Sequence, residues 1–124
     1  MGAKVGCEVG RCGACMVWID GRPANACLVP VWRLDGVEVT TPEGLDADPL
    51  AGVVCKALAD ENAFRCGYCA PGLVMSLTSA LRANPGVDER GPRAALVGHI
   101  CRCKGYHSIL RGALCAVERL RSSI

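Results

Sequence analysis

The sequence predicts an α+β fold in two unequal parts, and three observations carry that prediction. Short apolar runs broken by turn residues fill the first third of the 124-residue chain. From Pro49 onward the apolar residues recur at helical spacing. Between the two regimes lies Pro42-Glu43-Gly44 through Asp48, a linker by composition. The resulting units are residues 1–45 and 46–124.

Taken in order, Met16–Ile19 and Ala24–Val29 read as strands around Asp20-Gly21-Arg22-Pro23, a hairpin turn signal. Val37–Thr40, after Asp35-Gly36, is a third short strand. Asp48 can cap a first helix with Pro49 at its first position. Leu50, Val53, Val54, Ala57 and Leu58 share one of its faces. Pro71 opens a second helix carrying Leu73, Leu77, Ala80 and Leu81, and Asn84-Pro85-Gly86 stops it. A third, short helix starts between Asp88 and Pro92 and ends at Gly98. A fourth runs from about Ser108, with Ile109, Ala113, Val117 and Leu120 on one side.

Composition narrows the chemistry. The net charge is +2 with no basic block, which argues against nucleic acid as a partner. No apolar run approaches the ~20 residues needed to span a bilayer. Ten cysteines in so short a chain suggest either disulfides or metal. The start, Met1-Gly2-Ala3-Lys4-Val5, has no apolar export signal, so a cytoplasmic setting and metal ligation are expected.

Eight of the ten cysteines form two quartets. Cys7-x4-Cys12-x2-Cys15 is followed by Cys27, and Cys66-x2-Cys69 is followed by Cys101-x-Cys103. The first has the plant-type spacing of a 2Fe–2S site, with Gly6, Gly10 and Gly13 free to let the chain wrap closely and aim backbone N–H groups at sulfur. The second joins the turn before one helix to the turn before another. Cys66-x2-Cys69 alone would suggest thioredoxin chemistry, but no βαβ pattern surrounds it. Two 2Fe–2S clusters make a wire for single electrons. The competing reading is a structural or regulatory protein holding zinc or disulfides at the same cysteines; the x4/x2 loop is unusual for zinc.

The segments Gly6–Cys15, Asp20–Pro23, Cys66-Gly67-Tyr68-Cys69-Ala70-Pro71-Gly72 and Cys101-Arg102-Cys103-Lys104-Gly105-Tyr106 resemble, in order, the small iron–sulfur subunit of the xanthine oxidase family of molybdenum hydroxylases, which includes carbon monoxide dehydrogenase. The resemblance implies an N-terminally truncated β-grasp ferredoxin-like domain over 1–45 and a four-helix bundle 2Fe–2S domain over 46–124. It implies two 2Fe–2S clusters, on Cys7, Cys12, Cys15 and Cys27 and on Cys66, Cys69, Cys101 and Cys103. The chain would be a non-catalytic electron-transfer subunit of an oxidoreductase. It would sit with an FAD-binding medium subunit beside a molybdopterin-binding large subunit in a dimer of heterotrimers. The second cluster would lie next to the molybdopterin, with Arg65 and Cys103 closest to it. Family members carry further strands and a helix ahead of the cluster loop, so a free sheet edge and poor stability of the isolated chain are expected. Arg65, His99 and Lys104 replace the glutamine, asparagine and threonine usual in such subunits.

The other candidates have plainer readings. Cys55 and Cys115 fit buried small residues, His99 a packing or hydrogen-bonding role, and His107 a helix-start or surface position. Trp18 and Trp32 suit core or subunit contacts, and Tyr68 and Tyr106 shields for the cysteine turns.

Overall fold

The computed structural model describes residues 2–84 and 88–122. Three strands, β1 (Met16–Ile19), β2 (Arg22–Asn25) and β3 (Val39–Thr40), form an antiparallel sheet in the order β2-β1-β3. Four helices follow: α1 (Pro49–Asp60), α2 (Ala70–Ala83), α3 (Arg90–Leu96) and α4 (Tyr106–Ser122).

The β1–β2 turn is only two residues long. Asp20 (φ 49°) and Gly21 (φ 80°) both take left-handed conformations, the primed geometry that matches strand twist. Arg22 and Pro23 therefore belong to β2, pairing with Ile19 and Trp18. The strand expected through Val29 stops at Asn25, and Ala26–Leu28 turns as a 3-10 helix. The reason is Cys27: its amide donates to Cys15 Sγ (3.4 Å), which requires the chain to curl back instead of running on. The third strand keeps only Val39 and Thr40 of the four residues expected.

Asp48 caps α1 as its sequence implies, accepting from the amides of Leu50 (3.0 Å) and Ala51 (3.4 Å). The Arg82 guanidinium of α2 also donates to the Asp48 carboxylate and lies over the Trp18 ring, 5.3 Å from its centroid. The α2 stop signal at Pro85-Gly86 lies outside the described residues. Pro92 sits in the first turn of α3, where a missing N–H costs nothing. The fourth helix begins two residues before the expected Ser108, at Tyr106.

One core joins sheet and helices. Trp18 and Leu45 from the first part pack with Val54, Leu58, Leu73, Met75, Leu77, Leu81, Ile109, Ala113 and Val117. The Trp18 indole donates to the Met75 carbonyl (3.0 Å), so β1 is pinned on α2 by a polar bond inside the apolar contact. The α1–α4 contact is close because Gly112 faces Leu58: a Cβ there would lie 2.8 Å from Leu58 Cα. Trp32 is 75% exposed, so it is no core residue, and Cys55, expected buried, is exposed.

Candidate metal centres

The first quartet is assembled by a loop and a turn. Cys7, Cys12 and Cys15 lie on the segment leading into β1, and Cys27 on the 3-10 helix after β2. Cys7 Sγ accepts from the amides of Val9 (3.4 Å), Arg11 (3.1 Å) and Cys12 (3.3 Å). Those donors, Val9 and Arg11 above all, lower the Cys7 thiol to about 6. Gly10 has φ 75°, a left-handed conformation that a side chain would strain, and a Cβ on it would also press on Leu28 Cδ1 at 2.5 Å. The thiols meet in pairs, Cys7 with Cys12 and Cys15 with Cys27.

The second quartet lies where the start of α2 meets the turn before α4. Cys66 pairs with Cys103, and Cys69 with Cys101. The Tyr68 amide, then the Cys103 thiol, lower the Cys66 pKa. Burial first, and then the neighbouring Cys101 charge, push Cys69 up to about 12. Gly105 N donates to Cys101 Sγ (3.4 Å), and the Cys101 amide donates to the Tyr106 hydroxyl (3.0 Å). Arg65, named from the sequence with Cys103, is exposed and donates from its guanidinium to the Cys103 carbonyl (3.3 Å).

Cys7, Cys12, Cys15 and Cys27 thus neighbour one another, as do Cys66, Cys69, Cys101 and Cys103. The donor set fits an anionic binuclear cluster. Thiols come two by two, as two irons with two thiolates each require, and backbone N–H groups point at sulfur. Among the described residues no three His, Cys, Asp or Glu side chains converge as ligands of a single ion do; a binuclear cluster asks only two per iron. Cys55 and Cys115 stand apart from both groups, the former exposed and the latter half-buried.

The groups are tied to each other. Ile100, next to Cys101, donates its amide to the Cys12 carbonyl (3.0 Å). The Tyr68 hydroxyl, within the Cys66–Cys69 turn, donates to the Val5 carbonyl beside the first loop. Gly13 and Gly72 meet backbone to backbone, and His99 fills the space next to them, its Nε2 sharing a 2.7 Å hydrogen bond with Ser76 Oγ. Burial lowers the His99 pKa. Of these linking residues, Ile100 and Ser76 had no marked role in the sequence, and Gly72 stood out only as the end of the Cys66–Gly72 segment, a glycine inside the first turn of a helix.

Among the described residues a three-stranded sheet and four helices carry the two cysteine quartets of an iron–sulfur protein of the 2Fe–2S class, and residues 41–114 match the 2Fe-2S binding domain family. The chain is 42% identical over 119 residues to a probable xanthine dehydrogenase subunit of Bacillus subtilis, an alignment covering 95% of this chain and 67% of the relative. It is 38% identical over 113 residues to the small subunit of nicotine 6-hydroxylase from Paenarthrobacter nicotinovorans, covering 91% and 68%. The fold superposes on quinoline 2-oxidoreductase from Pseudomonas putida 86 with a TM-score of 0.83 at 32% identity, over 98% of this chain and 76% of that one. The chain belongs to the small iron–sulfur subunits of the xanthine dehydrogenase family, the molybdenum hydroxylases. Among the described residues no helix is long and apolar enough to cross a membrane.

Proposed function

We propose that this chain is the electron-transfer subunit of a molybdenum hydroxylase, carrying single electrons from a molybdopterin centre in a large partner subunit towards FAD in a medium one. The observation that carries the reading is the pair of cysteine groups joined through the Ile100–Cys12 hydrogen bond. A 2Fe–2S cluster, when bound, supplies one-electron chemistry without proton or group transfer. The residues do the rest. The N–H donors on Cys7 and Cys101 stabilise negative charge on sulfur, and Ile100 places one cysteine group beside the other.

In this reading Cys7, Cys12, Cys15 and Cys27 hold one cluster, and Cys66, Cys69, Cys101 and Cys103 hold the other. Residues 1–45 form part of a ferredoxin-like β-grasp, and 46–124 a helical bundle, with Trp18 and Leu45 merging their cores. The Cys103 group faces the molybdopterin, with Arg65 on the Cys103 carbonyl beside it. The assembly with large and medium subunits, the dimer of such trimers, and a cytoplasmic setting belong to the same proposal; cysteines kept as cluster ligands suit a reducing compartment.

The test uses the complex purified with its partners and reduced by its own substrate, found by screening purines, aldehydes and N-heterocyclic acids. Cys103→Ser should abolish substrate-driven reduction of the Cys7 cluster while dithionite still reduces it. Wild-type rates in that variant would overturn the order of the two sites.

A further inference from the structure

We propose that His99 is the positioning residue that holds the first cysteine loop against the second, by filling the slot between Gly13, Gly72 and Ser76. The connection from α3 to Cys101 is held by backbone hydrogen bonds but by few inward side chains. Val97, Gly98 and Ile100 are exposed, Val97 at 80%. Gly98 has φ 89°, a conformation that follows a bend and not a packed strand. Between Leu96 and Cys101 the one side chain that goes inward is that of His99.

Its surroundings are shaped for it. A Cβ on Gly13 would run into the imidazole Nδ1, and a Cβ on Gly72 would lie 3.6 Å from Cε1. The ring therefore occupies the space that the missing side chain of Gly13 leaves open on the first cysteine loop, and it packs at ordinary contact distance beside Gly72 on α2. Ser76 Oγ, one turn further along α2, bonds Nε2 (2.7 Å) and fixes the ring's rotation. Directly beside the ring, Ile100 N donates to Cys12 O (3.0 Å), the bond that links the two cysteine groups. Glycines 13 and 72 have no side chain to move into the space if the imidazole is removed, and interiors tolerate such voids poorly. The loop would then shift along α2 and the Ile100–Cys12 bond would loosen.

The inference rests on the two-cluster reading only for one of its two readouts. The first readout is amide exchange of the 97–101 segment in the full chain, followed by mass spectrometry with or without iron. His99→Ala should speed exchange of the Ile100 amide by about tenfold relative to Leu77 in the core, the factor that loss of one hydrogen bond carries. The second is paramagnetic resonance of the fully reduced iron-loaded chain. The spin–spin splitting between two clusters falls with the cube of their separation, so it should broaden or change in His99→Ala while iron per chain stays the same. His99→Gln, whose amide reaches the Nε2 position, should restore both. Unchanged exchange and unchanged splitting in His99→Ala would overturn the proposal, as would failure of His99→Gln to restore either. If His99→Ala does not fold, Ser76→Ala decides: faster Ile100 exchange supports the role, and wild-type exchange refutes it. A blank wild-type spectrum would count against the cluster reading alone, leaving the exchange result to judge His99.

Discussion

The carbonyl oxygen of Gly13 occupies the place where Gly72 would carry a Cβ. A cysteine-bearing loop and the start of a helix nearly sixty positions away thus touch through bare backbone, and no other residue type fits at Gly72. Gly72→Ala should push the Cys12–Cys15 loop off α2 at a cost of about 1–3 kcal/mol, the usual range for overpacking a tight site. Iron should be lost from the Cys7 group before the Cys66 group. Iron content and visible circular dichroism of the purified variant check this; a full complement of iron at wild-type stability would contradict it.

Asp48 couples α1, α2 and β1 through one carboxylate. Burial works against its ionised form, but Arg82 and the amides of Ala51 and Leu50 outweigh that and hold its pKa below the usual aspartate range. A carboxyl depressed in the folded state stabilises above its unfolded pKa, and the contribution disappears as pH falls through the folded value. Asp48→Ala should therefore cost about 1–2 kcal/mol at neutral pH, chiefly the lost helix cap. The difference from wild type should shrink as pH falls through the depressed carboxyl value, leaving the part that a protonated cap still supplies. Urea unfolding of both proteins from neutral to strongly acid pH measures it.

In the iron-free chain Cys7, near 6, should be largely thiolate at neutral pH, whereas Cys69, near 12, should be protonated. Alkylation read by peptide mass spectrometry should mark Cys7 well before Cys69. Lowering the pH from 7 to 5 should slow Cys7 labelling about tenfold, following its thiolate fraction. Equal labelling of the two thiols would show that the loop amides do not reach Cys7 Sγ in solution.

Much of this molecule was legible in the sequence because its signals are local. Cysteine spacing identified both groups, Asp48-Pro49 gave the α1 start, and Asp20-Gly21 marked the hairpin. What was not legible depends on contacts between distant segments. Cys27 had to leave the strand pattern to reach Cys15, so β2 is shorter than its β-prone residues suggest. The His99 slot needs glycines at positions 13 and 72 to be seen together. Trp32 and Cys55 look like core residues by type, and only the packing shows them at the surface.

The most direct test of the central claim is paramagnetic resonance of the fully reduced protein together with its iron count. Two dissimilar cysteine groups, one on a strand-side loop under three amides and one between helices, should give two distinct 2Fe–2S signals and about four irons per chain. A single signal at full reduction, with about two irons per chain, would contradict the account.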